Sequence, residues 1–257
     1  MAKPRVSDMH PEVKEIIRNS RRRAEEAERS VSRVDARNFR ERVEEVRKRG
    51  DNPVIAEIKP TSPTTSGEKH RDPASVAREM VSGGAVALSV LTEPRYFGGS
   101  LDYLRRVREA VDVPVLRKDF VLDERQLHEV EADLILLIAE FVDDIEGLGE
   151  EARRVGFEPL VEVHTEEQLS RVLETSARIV GVNNRDLTEL EVDLNVSEEL
   201  IPEIPDGRVA VAESGISNEK DAVRMMDAGA DCMLVGTSIM QSSDIEGKTR
   251  RLVEADG

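Results

Sequence analysis

The sequence predicts an α/β protein, a (β/α)8 TIM barrel with an N-terminal helical extension. Eight short apolar runs follow one another from residue 54, as expected of parallel strands that are buried on both faces. Amphipathic segments separate these runs at the spacing of βα units with right-handed crossovers. Polar side chains gather where the runs end, which in a closed parallel barrel is the mouth where chemistry takes place.

The elements alternate regularly along the chain. The predicted strands are Val54–Ile58, Ala87–Leu91, Val113–Leu116, Leu134–Ile138, Pro159–Val163, Ile179–Val182, Val209–Ala212 and Met233–Val235. The predicted helices are Pro73–Val81, Leu101–Val111, Glu124–Glu131, Ile145–Val155, Glu166–Leu173, Ser197–Leu200, Glu219–Ala228 and Ile245–Val253. A doubly wound open sheet is the alternative, but it would usually need fewer strands, and no Gly-x-Gly-x-x-Gly fingerprint follows a strand here.

The chain before the first strand is charged and helical in pattern. Apolar residues recur at helical spacing around Val13 and again around Val43, and Gly50 to Pro53 break the segment. We therefore expect residues 1–50 to pack on a barrel of residues 51–257, as one domain overall. His128 is expected on an exposed helix face.

Composition narrows the class of protein. The chain has 257 residues and a net charge of −16, and 8 of its 37 basic residues are lysine. This acidity disfavours nucleic acid and anionic membranes as partners; it fits adaptation to high salt or an ordinary acidic enzyme. The chain contains no apolar run long enough for a membrane span, no signal peptide and no metal-ligand spacing, and its single Cys232 fits a packed hydrophobe. We expect a cytoplasmic protein without a metal or cofactor.

Charged and polar side chains occupy the predicted strand ends. Alternation along a strand puts residues i and i+2 on one face, so these side chains converge if their faces point inward. Lys118 is then a candidate acid, base or amine nucleophile. One such residue alone would be read as a surface charge; six together indicate a site, because buried charges are costly unless paired or functional. The six are Glu57, Lys59, Lys118, Glu162, Asn183 and Glu213.

The last two strands end in small residues. Ser214 and Gly215 follow the seventh strand, and Gly236 and Thr237 follow the eighth. Tight turns would explain either pair. In barrels of this kind, however, the loops after strands 7 and 8 bind phosphate through backbone N–H groups. The two pairs together therefore predict a phosphorylated ligand.

At these residues the chain resembles the indole-3-glycerol-phosphate synthase family of tryptophan biosynthesis. The matching segments are 56–63, 88–93, 96–100, 116–120, 160–163, 181–187, 213–216 and 234–238, in order and at the family's spacing. The resemblance implies conversion of 1-(2-carboxyphenylamino)-1-deoxyribulose 5-phosphate to indole-3-glycerol phosphate with loss of carbon dioxide and water. It implies no cofactor or metal, and association with other enzymes of the pathway is possible within this family.

The resemblance also implies roles for individual residues. Lys118 matches the general acid and Glu162 the general base, while Lys59 contacts the substrate carboxylate and assists acid catalysis. The remaining matches are Glu57 and Glu213 as carboxylates that orient the lysines, Asn183 as a polar ligand of the reacting centre, Ser62 and Arg185 as substrate-positioning residues, Ser214, Gly215, Gly236 and Thr237 as the phosphate cradle, and Phe97 and Phe120 as walls for the anthranilate ring. The resemblance does not determine how Lys59 and Lys118 share acid catalysis.

One segment departs from the family pattern. Pro60 and Thr61 stand where the family usually has further basic residues. We expect Lys69 or Arg71 to fold back and supply the missing charge.

Other functions remain as alternatives. A Schiff-base aldolase would use Lys118 as its nucleophile, and a sugar-phosphate isomerase could occupy the same scaffold. An isomerase of the phosphoribosylanthranilate type would pair an Asp with a Cys acid, but Cys232 falls inside the last strand. A non-catalytic binding protein would not need two lysines and three carboxylates at one mouth.

Overall fold

The chain folds as a closed barrel in the computed structural model, which describes residues 9–59 and 71–256. The parallel strands are β1 Val54–Ile58, β2 Ala87–Leu91, β3 Val115–Lys118, β4 Leu134–Ile138, β5 Glu158–Val163, β6 Ile179–Asn183, β7 Val209–Glu213 and β8 Cys232–Val235. They pair in chain order, and β8 closes on β1. The predicted barrel is confirmed.

Helices precede β1 and follow most of the strands. They are α1 Pro11–Glu26, α2 Phe39–Lys48, α3 Pro73–Ser82, α4 Leu101–Ala110, α5 Ile145–Val155, α6 Glu166–Leu173, α7 Asn195–Leu200, α8 Glu219–Asp227, α9 Thr237–Met240 and α10 Ile245–Val253. Short polar side chains begin many of them: Asp144, for example, accepts from the Gly147 N–H at 2.8 Å and so caps α5. Sequence analysis did not separate the short α9 from the loop after β8.

Between β3 and β4 the predicted helix is wrong in type. Glu124–His128 forms a 3₁₀-helix, and no α-helix occurs in this connection. The chain that joins α1 to α2 lies alongside it: the N–H groups of Ser30 and Val31 donate to the carbonyl of His128 at 2.8 and 2.9 Å. The connecting chain thus covers this side of the barrel, where a full helix would otherwise pack.

His128 is buried, which corrects the expectation of an exposed residue. Its Nδ1 lies 2.8 Å from the carbonyl oxygen of Val31. The periodicity of its own segment could not reveal this, because the covering residues come from the N-terminal region, nearly a hundred positions earlier.

Side chains inside the barrel form one apolar cluster, and those between strands and helices form another. Ile55, Leu116 and Leu160 belong to the interior cluster. Phe39 of α2 packs in the same cluster with Val209, at the first position of β7, so α2 closes the base of the barrel. Burial of a side chain of this size contributes about 1.5–3 kcal/mol.

Helix α1 lies at the opposite end. Val13 and Ile17 pack with Phe120, Phe141 and Leu190, which follow β3, β4 and β6. The carboxyl ends of the strands form the mouth, so the first helix borders the mouth and the second seals the base. The division into residues 1–50 and 51–257 stays a prediction.

Candidate active site

Three charged side chains meet in the centre of the mouth. The Lys118 ammonium donates to Glu162 Oε2 at 2.9 Å and to Glu213 Oε2 at 2.5 Å. Each continues the inward face that Leu116, Leu160 or Val211 begins two residues earlier, as strand alternation requires. Strands β3, β5 and β7 therefore place one ammonium between two carboxylates.

The charges of this cluster shift one another's protonation. Burial alone would lower the pKa of Lys118, but the negative charges of Glu162, of Glu213 once it is ionised, and of Glu57 outweigh it and raise that pKa. For Glu162, burial acts to raise the pKa, and the charge of Lys118 with the contact of His164 lowers it overall. For Glu213, burial and the charge of Glu162 outweigh Lys118 and raise the pKa to about 8. Before substrate reacts, the site thus holds a protonated lysine beside carboxyl groups of unequal acidity.

Gly181 makes room for this arrangement. It faces inward from β6, in register with Glu162 and Val211. A Cβ there would collide with the carboxylate of Glu213 and lie 2.8 Å from Leu160 Cδ2. The absent side chain is what lets Glu213 reach across β6 to Lys118.

Glu57 and Lys59 border the central cluster from β1. Ser89 Oγ donates to Glu57 Oε2 at 3.3 Å, and a Cβ on Gly236 would lie 2.8 Å from Glu57 Oε1. The Lys59 ammonium stands 5.2 Å from the centroid of the Phe97 ring, within cation–π range.

The two aromatic side chains predicted to bind the ring have different settings. Phe97 follows a turn in which the buried carboxylate of Glu93 accepts from the Tyr96 and Phe97 N–H groups, at 2.7 and 3.2 Å. Phe120 packs against Phe141, with ring centroids 5.9 Å apart. Both rings are half-buried.

Hydrogen bonds hold the polar residues that follow β6 in place at the rim of the barrel mouth. Asn183 Oδ1 accepts from the Arg185 N–H at 3.0 Å, and Arg185 Nη1 donates to the carbonyl of Leu190 at 2.8 Å. The buried Asn184 donates to the carbonyl of Ser214 at 3.0 Å. Sequence analysis missed Asn184, although it stands beside Asn183 in the same motif.

The loops after β7 and β8 meet. Ser214 and Gly215 both adopt the left-handed conformation, with φ of 67° and 86°. Ser238 Oγ donates to the carbonyl of Ile216 at 3.1 Å and joins the two loops. Gly236 precedes α9, and Thr237 is its first residue. The predicted cradle residues thus lie together at one edge of the mouth.

Most of the segment that departs from the family pattern lies beyond what the structure describes. Residues 60–70 are outside the described part of the chain, and they include Pro60, Thr61 and Lys69 as well as the predicted substrate-positioning residue Ser62. Arg71 is described and exposed, and its guanidinium pairs with Glu79 on α3 at 2.6 Å.

His164 is a second residue whose role sequence analysis left unassigned. It follows β5 and shares the face of Glu162, and its Nε2 lies 3.3 Å from Glu162 Oε1. The i, i+2 spacing from Glu162 could have identified His164 as a neighbour of the site. The presence of a glycine within a strand could have identified Gly181.

The part of the chain that the structure describes contains neither a metal-binding cluster nor a helix that could span a membrane. In residues 9–59 and 71–256, no group of three or more His, Cys, Asp or Glu side chains could hold a metal ion. No helix among the same residues is both long and apolar enough to cross a membrane.

A (β/α)8 barrel with a lysine held between two buried carboxylates at its mouth is an acid–base enzyme scaffold. The family model for indole-3-glycerol phosphate synthase matches residues 6–252. The chain belongs to this family, and it is a carboxy-lyase of tryptophan biosynthesis.

Named relatives agree with the family match. Indole-3-glycerol phosphate synthase of Haloarcula marismortui is 55% identical over 215 residues, which are 80% of this chain and 79% of the relative. The same enzyme of Halobacterium salinarum is 50% identical over 97% of this chain and 98% of its own.

A solved structure supports the fold alone. Thiamine phosphate pyrophosphorylase from Pyrococcus furiosus superposes with a TM-score of 0.60 at 19% identity, over 84% of this chain and 96% of that one.

Proposed function

We propose that the mouth cluster carries out the family's ring closure, with Lys118 as general acid and Glu162 as general base. The substrate is 1-(2-carboxyphenylamino)-1-deoxyribulose 5-phosphate, and the product is indole-3-glycerol phosphate. The observation that carries this proposal is the Lys118 ammonium, which donates to Glu162 at 2.9 Å and Glu213 at 2.5 Å.

The first step needs an acid. A weakly nucleophilic aromatic carbon attacks the ketone, and negative charge develops on the carbonyl oxygen. Lys118 stays protonated because its pKa is raised, and an alkoxide is basic enough to take its proton. Carbon dioxide then leaves, and its bonding electrons restore the aromatic ring.

The later step needs a base. Loss of water from the closed ring requires a proton to leave the former sugar carbon C1. Glu162 is ionised because its pKa is lowered, so it can accept that proton. Glu213 holds Lys118 in place, and we assign Glu57 the same orienting role toward Lys59.

The surrounding groups fit the ends of the substrate. Lys59 and Arg185 would meet the carboxylate, and Ser62 would position it. Phe97 and Phe120 would flank the anthranilate ring, which needs apolar walls. Asn183 would contact the reacting centre, while Ser214, Gly215, Gly236 and Thr237 would hold the phosphate with backbone N–H groups.

Indole fluorescence tests the proposal directly. Wild-type protein mixed with the substrate should produce the indole signal, and Lys118→Ala should lower kcat by roughly 10²–10⁴-fold. Lys48→Ala is the control, because Lys48 is exposed on α2 at the base and pairs only loosely with Glu44 at 3.6 Å. A silent wild type would refute the function, and a fully active Lys118→Ala would refute the mechanism.

The Schiff-base alternative fits the site poorly. An amine nucleophile must be neutral, and enzymes obtain this by lowering its pKa. The carboxylates around Lys118 raise its pKa instead. Borohydride with a keto-sugar phosphate should therefore leave Lys118 unmodified, as mass spectrometry of the protein would show.

We also propose that the protein works in the cytoplasm, where its phosphorylated substrate would be made, and that it associates with other enzymes of the tryptophan pathway. Cell fractionation followed by detection of the enzyme tests the location.

A further inference from the structure

Each turnover of the proposed reaction consumes one proton from solvent. The ionised substrate carboxylate leaves as carbon dioxide, and the ring carbon keeps the bonding electrons without needing a proton. The ketone oxygen takes up two protons before it leaves as water, whereas the sugar carbon C1 gives up one. The catalytic cluster must therefore import one proton per cycle.

The groups that exchange these protons are nearly sealed from water. The side chains of Glu162 and Glu213 are 3% and 1% exposed, and that of Lys118 is 15% exposed. A substrate seated over Lys118 would cover its remaining exposed surface. While substrate occupies the mouth, a proton that enters from solvent needs a route that does not pass through the substrate.

His164 lies on the far side of Glu162 from Lys118. Glu162 Oε2 accepts from the Lys118 ammonium at 2.9 Å, and Glu162 Oε1 lies 3.3 Å from His164 Nε2. The carboxylate thus bridges the lysine and the imidazole. Imidazole is the side chain best suited to pass a proton near neutral pH, since its two nitrogens can exchange donor and acceptor roles.

The imidazole of His164 is held by its backbone and not by its ring. The backbone N–H of His164 donates to Gln168 Oε1 at 2.7 Å, and Gln168 Nε2 donates to Glu140. The ring nitrogens are buried, and neither has an aligned hydrogen bond within the described residues. Among the described residues, Nδ1 has no hydrogen-bond partner and Nε2 contacts the carboxylate of Glu162, so a functional reason is expected for this buried ring.

We propose that His164 is a proton relay, which passes protons from solvent through Glu162 to Lys118. This inference rests on the proposed function. The His164 side chain keeps 8% of its surface exposed, so one edge of the ring lies at the boundary with solvent. A proton reaches Nδ1 from that edge as the Nε2 proton moves to Glu162 Oε1, and Glu162 passes a proton to the amine of Lys118 after that lysine has protonated the substrate. Rotation of the unrestrained ring resets the imidazole. Asp186, after β6, also interacts electrostatically with His164, as Glu162 does.

Imidazole rescue of His164→Ala tests the relay. We expect kcat to fall roughly 10-fold or more in this variant. Added imidazole should restore kcat in a saturable way, and substituted imidazoles should do so in an order that follows their basicity. A change of the solvent deuterium isotope effect on kcat should accompany the loss, because proton delivery then limits turnover. A packing role alone would produce neither result.

Two further variants complete the design. His128→Ala removes another buried imidazole, one that is bound to the Val31 carbonyl on the side of the barrel, and imidazole should not change its kcat. His164→Gln keeps a polar side chain and serves if the alanine variant fails to fold; it too should lose turnover and show the altered isotope effect.

The outcomes distinguish a failure of the proposed relay from a failure of the proposed function. A wild type that forms no indole would refute both. If the wild type is active, the relay alone is refuted by a His164 variant with wild-type kcat, or by a loss that shows the wild-type isotope effect and no rescue.

Discussion

Arg23 and Asp119 form a two-pronged ion pair that joins the first helix to the strand end carrying Lys118. Nη1 lies 2.9 Å from Oδ2, and Nη2 lies 2.7 Å from Oδ1. Asp119 is fully buried and also accepts from Thr92 Oγ1 at 2.7 Å and from Arg117 at 3.3 Å. Helix α1 also donates a hydrogen bond from Ser20 to the carbonyl of Phe120. The N-terminal helix therefore fixes the backbone on which Lys118 sits.

Arg23→Met should weaken both the fold and catalysis. It leaves Asp119 buried with Arg117 as its remaining cation, which should cost roughly 1–3 kcal/mol of unfolding free energy. We expect kcat to fall several-fold, because Lys118 is the adjacent residue. Urea unfolding and steady-state kinetics measure the two effects.

Arg95→Met is the control on the same rim, since exposed Arg95 bonds Asn19 at 3.0 Å and should contribute under about 1 kcal/mol. Equal behaviour of the two variants would contradict this role.

The contribution of this ion pair should depend on pH. The pKa of Asp119 is lowered from its usual 3.8, mainly by Arg23 and Arg117 against the opposing effect of burial. A carboxylate with a lowered folded-state pKa stabilises the protein above its unfolded pKa, and this stabilisation disappears as pH falls toward the folded value. The stability gap between wild type and Arg23→Met should thus be constant near neutral pH and shrink below about pH 4. Urea titrations across that range measure it, and a gap that widens in acid would show that another group is responsible.

Gly181→Ala should disable the enzyme without unfolding it. The added Cβ would displace the Glu213 carboxylate from Lys118, so we expect kcat to fall roughly 10- to 100-fold as positioning is lost. Gly149→Ala is the matched control, because a Cβ on this α5 residue meets only Arg153 Nη1 at an ordinary 3.7 Å. That change should keep full activity and add stability, since alanine favours a helix. Comparable kinetics for both substitutions would refute the role of Gly181.

Glu213 should set the alkaline limb of the rate profile. Burial and the charge of Glu162 raise its pKa to about 8, so its carboxyl group gains a negative charge as pH rises through that value. The new charge raises the pKa of Lys118 further and makes it a weaker acid. We expect kcat to decline above about pH 8 in the wild type. In Glu213→Gln, which cannot ionise, kcat should be lower but should lack this decline; an unchanged alkaline limb in that variant would assign it to another group.

The sequence alone predicts the barrel because each strand is a local pattern. Strand alternation also predicts that Glu57, Lys118 and Glu162 all face the interior of the barrel. It does not predict which of these side chains are in contact. The contact between Lys118 and Glu213 spans four strands, and it depends on the missing side chain of Gly181 as much as on the charges. The burial of His128 depends likewise on chain from the N-terminal region. Such features arise from closure of the barrel, which no single segment encodes.

Salt should stabilise this protein. Its net charge is −16, so the folded state concentrates mutually repelling carboxylates on its surface. Raising KCl from about 0.1 M to about 1 M shortens the screening length from about 10 to about 3 Å and weakens that repulsion. Exposed ion pairs weaken too, but each contributes at most about 1 kcal/mol, and the buried contact of Lys118 with Glu162 is screened far less. We expect the thermal midpoint to rise by several degrees, roughly 2–4 °C for each kcal/mol gained.

A charge-depleted variant separates screening from other effects of salt. Glu150, Glu167 and Glu199 are exposed helix positions, and their joint replacement by Gln keeps side-chain size while it removes three negative charges. This variant should melt higher than the wild type at low salt and gain less from KCl, since less repulsion remains to be screened. Calorimetric scans at both salt concentrations measure the difference. An identical gain in both proteins would show that KCl acts through apolar burial, and a wild-type midpoint that falls with salt would show that ion pairing outweighs repulsion on this surface.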